Sequence, residues 1–229
     1  MSTLGVDMHS HVLPGIDDGA QNVEESIVLV KALIDLGIKK IIATPHIMVD
    51  YYRNTPEIIN NALSVLKNEL QEQQIDIEIQ ASAEHLLDEG FEVLLEESRV
   101  LPMTDNYLLF EMSFIDAHPN LIPLVQKIID KGYKPILAHP ERYPYFTIDN
   151  CETLKSWGCN LQMNTISLTG YYGSKTKAMA EAMVDYNLVD FISSDMHHPR
   201  HAAALERSLG TAYLEKLLFD YPLKNALLL

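Results

Sequence analysis

The sequence predicts a distorted (β/α)7 barrel of TIM-like architecture. Short apolar, β-branched runs alternate with longer stretches of helical periodicity along almost the whole chain, as in βα units built around a parallel sheet. Polar side chains of metal-ligand type follow six of the seven predicted strands, at the strand ends where barrel enzymes place their active sites. The alternative is an open, doubly wound sheet, which gathers its site from only the strands beside its switch point.

Seven short apolar runs are the predicted strands. They cover residues 4–8, 40–44, 75–82, 107–112, 134–138, 159–164 and 189–194. No internal repeat, low-complexity tract or linker rich in proline and glycine interrupts the series. We therefore expect residues 1–229 to form a single domain, a size that α/β barrels commonly reach.

Three of the predicted helices have readable ends. In "NVEESIVLVKALIDLG", Asn22 is the expected N-cap and Gly37 the glycine just after the helix. The helix in "TPEIINNALSVLKNELQEQ" has Thr55 as its cap and Pro56 at its first position. The helix in "HPNLIPLVQKIIDKG" ends at Gly132.

Composition argues against several classes of protein. The formal net charge is −15, from 32 acidic and 17 basic residues, which disfavours a nucleic-acid backbone as the main partner. No apolar run approaches the roughly 20 residues of a membrane span, and the first residues do not have the pattern of a signal peptide. Cys151 and Cys159 cannot form a disulfide framework and match a reducing compartment. We expect a cytoplasmic protein without membrane insertion.

The side chains at the strand ends have the chemistry of a divalent metal centre. His9 and His11 are separated by one residue, so both imidazoles point to the same side of a strand. One such pair is a weak signal, because a single histidine or acid at a strand end is more often a surface residue or a cap. Here six strand ends carry the same chemistry at once. The further residues are His46, Glu84, Glu111, His139, Asp195 and His197.

Four motifs resemble those of the PHP superfamily, named for polymerase and histidinol phosphatase. They are "DMHSHVLPGIDDG" near the start, "TPH" at 44–46, "HPER" at 139–142 and "SDMH" at 194–197. The opening motif together with "HPER" is similar to the manganese-dependent protein-tyrosine phosphatases of bacterial capsule and exopolysaccharide operons. The resemblance runs from about residue 5 to residue 200. It implies the PHP fold, a distorted barrel of seven βα units.

The resemblance also implies three divalent metal ions held by nine protein ligands. The first ion takes His9, His11, Glu84 and Asp195; the second takes Glu84 as a bridge with Glu111 and His139; the third takes Asp18, His46 and His197. Five imidazoles and four carboxylates without a thiolate suit manganese, iron or zinc. Among these, Mn²⁺ is the ion that the resemblance implies.

Two arginines are the expected phosphate ligands. Arg142 follows a predicted metal ligand by three residues and presents a guanidinium fork suited to phosphate oxygens. Its alternative role is an ion pair with Glu141 or another acid. The second arginine is less clear from the resemblance, because the loop after Asp195 departs from better-known members. Arg200 is the first candidate there and Arg207 the second.

These residues predict metal-dependent hydrolysis of a phosphate ester with a metal-activated hydroxide as the nucleophile, and the resemblance implies that the substrate is phosphotyrosine on a protein. Cysteine catalysis is excluded, because neither cysteine is followed six positions later by an arginine. By resemblance, the expected partner is the tyrosine-rich tail of a bacterial tyrosine autokinase that controls polysaccharide export. One alternative is a small-molecule phosphoesterase such as histidinol-phosphate phosphatase. Another is a non-catalytic metal-binding scaffold that docks on the kinase.

Other aromatic and histidine side chains stay open or outside the predicted site. Four tyrosines near predicted ligands either stack on a phosphotyrosine ring or pack the loops: Tyr51, Tyr52, Tyr143 and Tyr145. Four histidines are expected to lie outside the metal site: His85, His118, His198 and His201.

Overall fold

Nine short strands alternate with eight α-helices in the computed structural model, which describes residues 5–229. The strands are β1 (Val6–Asp7), β2 (Lys40–Ala43), β3 (His46–Ile47), β4 (Glu78–Ala81), β5 (Glu84–Leu86), β6 (Tyr107–Glu111), β7 (Lys134–Ala138), β8 (Asn160–Asn164) and β9 (Phe191–Ser193). The helices are α1 (Val23–Asp35), α2 (Pro56–Glu72), α3 (Phe91–Glu96), α4 (Leu121–Asp130), α5 (Ile148–Ser156), α6 (Ser174–Asp185), α7 (Pro199–Ser208) and α8 (Ala212–Phe219). Residue 4, at the start of the first predicted strand, lies outside the described residues.

The strands pair in parallel in two sheets, ordered β1–β2–β4 and β3–β5–β6–β7–β8–β9. β2 and β3 share one strand position, interrupted at Thr44 and Pro45, and β4 and β5 share the next. Pro45 has no N–H and cannot donate to a ladder. The Ser82 N–H donates to the Ala43 oxygen at 2.8 Å, and the Glu84 N–H donates to the Pro45 oxygen at 3.1 Å. The two interrupted positions therefore stay side by side.

The first and last strand positions are neighbours. Ser10, just after β1, forms a parallel bridge with Met196, just after β9. The His11 N–H donates to the Met196 oxygen at 2.8 Å, and the Asp195 N–H donates to the His9 oxygen at 2.9 Å. The neighbour relations thus run around seven strand positions, each followed by a helix. The predicted fold class, a distorted barrel of seven βα units, is confirmed.

The helix ends follow the local sequence. The Asn22 side chain caps α1 by accepting from the Glu25 N–H at 2.9 Å, and the Thr55 side chain caps α2. Gly37 and Gly132 follow α1 and α4 with φ angles of 91° and 87°, values that glycine adopts without a Cβ clash. Within residues 5–229, every helix falls short of the length and apolar character that a membrane crossing requires.

Three apolar clusters join the layers. One packs α3 to α6 and α8 against β6 to β9, and a second packs α1, α2 and α7 against β2 to β4. The third draws on strands from opposite sides of the ring and therefore fills its interior. On β6, Tyr107 and Leu109 belong to this inner cluster, and Glu111 is the next residue on the same face. The inner face of β6 thus ends in a carboxylate.

Candidate metal centre

All nine predicted ligands come together at the carboxyl ends of the strands. They form four overlapping groups, and the donor atoms within each group lie within 4.8 Å of one another. The groups are His9, His11 and Glu84; His9, His139 and Asp195; His46, Glu84 and Glu111; and His11, Asp18, His46 and His197. His11 thus also belongs to the group of Asp18, His46 and His197, the three residues that the resemblance assigned to the third ion. Because four residues belong to two groups each, the arrangement suits several neighbouring cations.

Glu84 lies at the middle of these groups. It is fully buried on β5, and its Oε2 lies 3.2 Å from His9 Nε2, 3.4 Å from His11 Nε2 and 3.1 Å from His46 Nδ1. Its Oε1 lies 3.1 Å from His139 Nε2. A carboxylate that faces four imidazoles with its two oxygens is placed to bridge cations.

The two imidazoles that follow β1 are oriented by polar side chains behind them. His9 Nδ1 is 2.9 Å from Gln162 Oε1, and His11 Nδ1 is 2.7 Å from Asp17 Oδ2. These contacts hold each ring with Nδ1 toward the acceptor, so the Nε2 atom of each ring faces the cluster. The two Nε2 atoms are 3.3 Å apart. The rings are therefore presented as ligands.

Burial and charge act against each other in the cluster. Burial alone lowers the pKa of His11, but the Asp17 carboxylate raises it to about 10. Burial alone raises the pKa of Glu84, but the facing imidazoles of His9 and His46 hold it well below its usual range. The Glu84 carboxylate therefore stays ionised among the surrounding imidazoles. Its negative charge attracts divalent cations.

Several buried donor atoms in the cluster have no hydrogen-bond partner among the described residues. Buried polar atoms usually have one, and an unsatisfied atom costs about 1–3 kcal/mol. The atoms are His46 Nδ1, Glu84 Oε2, Glu111 Oε1, His139 Nδ1 and Asp195 Oδ1. Four of the five atoms lie within 3.5 Å of a donor atom of another predicted ligand, and His139 Nδ1 is the exception. Cation coordination satisfies such atoms, so the residues fit a metal centre.

Two ligand positions have an uncommon backbone conformation. His139 and Asp195 have φ angles of 35° and 51°, in the left-handed region that non-glycine residues seldom adopt. Such conformations cost about 1–3 kcal/mol and occur mostly at functional sites. They turn these two side chains away from the direction of their strands and into the cluster.

Gly19 lets the loop that carries Asp18 approach the cluster. A Cβ at position 19 would lie 2.0 Å from the backbone oxygen of His11, so only glycine fits there. The turn places Asp18 Oδ1 3.3 Å from His46 Nε2 and 3.5 Å from His197 Nε2. Asp18 is half exposed and forms the open edge of the cluster.

Asp7 ties β1 to β9 beneath the cluster. Ser193 Oγ donates to Asp7 Oδ1 at 2.5 Å and accepts from the His9 N–H at 2.8 Å. Ser194 donates to the same carboxylate through its N–H and its hydroxyl, both at 2.8 Å. Burial raises the pKa of Asp7, against these hydrogen bonds. The contacts fix the chain on both sides of the ligands His9 and Asp195.

Arg142 lies beside the cluster in the short turn after β7. Its Nη1 donates to Asp195 Oδ2 at 2.7 Å. The guanidinium lies 4.3 Å from the Tyr172 ring centroid and 4.8 Å from that of Phe114. The ion pair is thus made with Asp195, while Glu141 is buried and accepts hydrogen bonds from the segment that includes the end of β8. With 23% of its side chain exposed, Arg142 also reaches the solvent side of the cluster.

The second predicted arginine lies apart from these contacts. Arg200 is exposed in the first turn of α7, and Arg207 is exposed in its last turn. Neither belongs to the hydrogen bonds that hold the cluster. A phosphate role for Arg200 stays a prediction.

The remaining histidines have other contacts. His85 is buried, with its Nδ1 2.9 Å from the Leu109 oxygen and its Nε2 accepting from the Leu101 N–H at 3.2 Å. Its role is to join β5 to neighbouring backbone. His201 lies 3.0 Å from the Asp195 oxygen and packs below His197. Within the described residues, neither joins a ligand group.

Three polar residues of the cluster were absent from the sequence prediction. Asp17 and Gln162 orient histidines, and Asn164 Nδ2 donates to Asp195 Oδ2 at 2.7 Å. The sequence does contain an indication of two of them, because Gln162 and Asn164 occupy alternate positions of a strand that is buried throughout. Alternate residues share a face, and two polar side chains on a buried face indicate a polar interior.

Two of the four tyrosines pack the loops, as one of the two roles left open requires. Tyr143 is buried, and its hydroxyl bridges the backbone at the ends of β6 and β7, so it packs the loops. Tyr145 donates to the loop after β6. Tyr51 is 80% exposed, and Tyr52 stacks on His46 with a centroid distance of 5.6 Å.

Fold and site together define a barrel-type metallohydrolase. Parallel βα units surround an apolar interior, and overlapping groups of imidazoles and carboxylates lie at the carboxyl ends of the strands. The sequence profile of the family described as "Capsular polysaccharide synthesis, CpsB/CapC" matches residues 5–226. The chain belongs to this family, which confirms the resemblance seen in its motifs.

Similar proteins support this membership along most of the chain. Tyrosine-protein phosphatase YwqE of Bacillus subtilis is 32% identical over 197 residues, which cover 84% of this chain and 77% of that protein. Tyrosine-protein phosphatase CpsB of Streptococcus pneumoniae is 28% identical over 203 residues, covering 84% and 83%. A crystal structure from work on these two "unique metal-dependent tyrosine phosphatases" superposes with a TM-score of 0.82 and 29% identity, covering 95% of this chain and 96% of that one.

Proposed function

We propose that this chain hydrolyses phosphotyrosine on proteins and depends on divalent cations held by the nine residues at the strand ends. The observation that carries the proposal is the convergence of four donor groups around the buried Glu84. Membership of the CpsB/CapC family supports the phosphotyrosine substrate, because relatives in it are named tyrosine-protein phosphatases.

We propose that the site binds three divalent cations and that these are Mn²⁺. The ligands proposed for them are His9, His11, Asp18, His46, Glu84, Glu111, His139, Asp195 and His197. The overlap of the groups supports more than one cation. Imidazole and carboxylate donors support Mn²⁺, and iron or zinc suit the same donors.

Divalent cations, when bound, lower the pKa of water and neutralise charge on phosphate oxygens. Arg142 is proposed to add a positive charge from the protein itself next to the phosphate. Its Nη1 is engaged by Asp195, while Phe114 and Tyr172 hold the plane of the guanidinium. The other N–H groups of the fork are proposed to donate to the non-bridging oxygens of the phosphate. Arg200 is proposed as a second, peripheral phosphate ligand.

The cysteines take no part in this chemistry. Both are free and buried in the apolar cluster behind β6 to β8. Burial raises the pKa of Cys151 to about 12 and that of Cys159 well above its usual range. Neither thiol is ionised at neutral pH, so neither is a nucleophile.

The proposed partner is a phosphotyrosine-containing protein, the tyrosine-rich tail of a bacterial tyrosine autokinase. The family description, capsular polysaccharide synthesis, supports this choice. The free, buried cysteines support a cytoplasmic location. We also propose that residues 1–229 act as one metallophosphatase domain, which the single ring of strands supports.

Phosphate release from two substrates tests the proposal. Protein purified without chelator is assayed on a phosphotyrosyl peptide and on histidinol phosphate, and we expect clear preference for the peptide. His197→Ala removes a proposed ligand at the partly exposed edge, and His118→Ala, outside the ligand groups, is the matched control. We expect loss of activity only in the first variant, with both variants folded by circular dichroism. Preference for histidinol phosphate, or equal activity of the two variants, contradicts the proposal.

A further inference from the structure

The loop between β6 and α4 carries an exposed apolar tip beside the metal centre. Phe114 is 43% exposed and Ile115 is 87% exposed. Aromatic side chains are common among the groups that line ligand sites. We propose that the Phe114 ring packs against the aryl group of the substrate and sets the preference for aryl over alkyl phosphates. This inference rests on the proposed function, since it assumes a phosphate bound at the cluster.

The position of the ring supports this role. The Phe114 ring stacks on the His139 imidazole, with centroids 5.7 Å apart and an interplanar angle of 21°. The Arg142 guanidinium lies 4.8 Å from its centroid. One ring therefore touches both a proposed metal ligand and the proposed phosphate ligand. A phosphate held between these two groups presents its ester substituent beside Phe114.

The loop is held in place before any substrate binds. Tyr145 Oη donates to the Ser113 oxygen at 2.5 Å, and the Ile115 N–H donates to Ser113 Oγ at 3.1 Å. Phe114 also packs against the Tyr143 ring at a centroid distance of 5.3 Å. A ring fixed in this way loses little conformational entropy when a second ring packs on it.

A second aromatic ring lies at another part of the cluster. Tyr52 stacks on His46 with an interplanar angle of 14°. Glu111 connects the two stacked imidazoles, since its Oε1 is 3.0 Å from His46 Nδ1 and its Oε2 is 4.0 Å from His139 Nε2. Aromatic surface thus borders the carboxylates on the His46 side as well as the His139 side.

The expected effect follows from the energy of aromatic pairs. Such a pair contributes about 2- to 13-fold in affinity beyond the area that it buries. With that area included, loss of the ring is expected to lower kcat/KM for phosphotyrosine by about tenfold. An alkyl phosphate makes no ring contact, so its kcat/KM is expected to fall only through the lost support of the Arg142 guanidinium, and the ratio of the aryl to the alkyl value is expected to fall severalfold.

The test uses the Mn²⁺-loaded protein with phosphotyrosine and with an alkyl phosphate of equal charge. Phe114→Ala is expected to lower the ratio of kcat/KM for phosphotyrosine to that for the alkyl phosphate, and Phe114→Trp is expected to restore this ratio. Phe219→Ala, at a phenylalanine on α8 that is 60% exposed, is the control and is expected to change neither value. An equal loss for both substrates would show that Phe114 only supports Arg142, and no loss would show that the ring is not used; either result overturns the inference.

Equilibrium binding gives a readout that does not depend on turnover. By titration calorimetry, phenylphosphonate is expected to bind the loaded wild type about tenfold more tightly than methylphosphonate, and Phe114→Ala is expected to remove that difference. Equal binding of both phosphonates to the wild type overturns the inference. If the wild type hydrolyses no phosphotyrosine at all, the proposed function itself fails. If it does so with a substrate ratio insensitive to Phe114, only this inference fails.

Discussion

Replacing Arg142 separates phosphate binding from metal-site assembly. Asp195 Oδ2 accepts from Arg142 Nη1 and from Asn164 Nδ2, both at 2.7 Å. Arg142→Ala removes the first donor and leaves the second, so the Asp195 carboxylate stays oriented. The lost pair is intermediate between exposed and buried, and we expect the free energy of unfolding to fall by about 1–3 kcal/mol.

The catalytic effect of the same change is expected to be larger. A preorganised donor aimed at charge in the transition state contributes about 10²–10³ in rate, which is about 2.7–4 kcal/mol. Arg142→Ala is therefore expected to lower kcat/KM on a phosphotyrosyl peptide by that factor. Arg142→Lys keeps the charge but loses the fork and the flat surface between Phe114 and Tyr172, so it is expected to stay impaired.

Three measurements on each variant give the answer: kcat/KM, metal content by elemental analysis, and the thermal unfolding midpoint. We expect metal content near that of the wild type. Arg99→Ala, which breaks an exposed pair with Glu97, is the control and is expected to change no value beyond error. A collapse of metal content would make Arg142 an organiser of the Asp195 ligand. Unchanged activity and unchanged metal content would refute the phosphate role and direct attention to Arg200.

Three further changes test other parts of the structure. Asp7→Ala leaves buried donors from two serines unsatisfied and is expected to lower the free energy of unfolding in urea by about 2–4 kcal/mol; Asp7→Asn keeps an acceptor and is expected to cost about 1 kcal/mol, and equal costs would contradict this explanation. Gly19→Ala places a Cβ against the His11 oxygen, so calorimetry is expected to show at least about tenfold weaker metal binding, and unchanged affinity would contradict it. Cys151→Ala and Cys159→Ala are expected to keep kcat within about twofold, and the native thiols, with raised pKa values, are expected to resist iodoacetamide at about pH 8. Rapid inactivation by iodoacetamide would contradict that prediction.

Much of the fold could be predicted, because strand and helix signals are local. Asn22 and Thr55 cap helices through their own side chains, and Gly37 ends α1 by its φ angle. The interruption after β2 was not predicted, although Pro45 explains it. As a result His46 and Glu84, expected just after strands, lie within the short strands β3 and β5.

Most of the proposed ligands could be predicted because they lie at or close to a strand end and parallel strands place those ends together, whereas Asp18 was assigned through the motif resemblance. The residues that serve the ligands were harder to find. Phe114 and Tyr172 lie in separate loops and meet only across Arg142, so no periodicity in the sequence connects them. The sequence Asp17-Asp18-Gly19 is typical of a turn, so it does not point to a role for Asp17 beside a histidine. The contact of Asp17 with His11 depends on the close approach that Gly19 permits.

The rate of phosphate release as Mn²⁺ is returned to metal-free protein tests the central claim most directly. Protein stripped by a strong chelator is dialysed and then titrated with Mn²⁺ in the presence of a phosphotyrosyl peptide. Because the nine proposed ligands form overlapping groups, we expect no release from the stripped protein and full recovery only after more than two equivalents have bound. Undiminished release in the presence of the chelator, or no release at any Mn²⁺ concentration, would contradict the account.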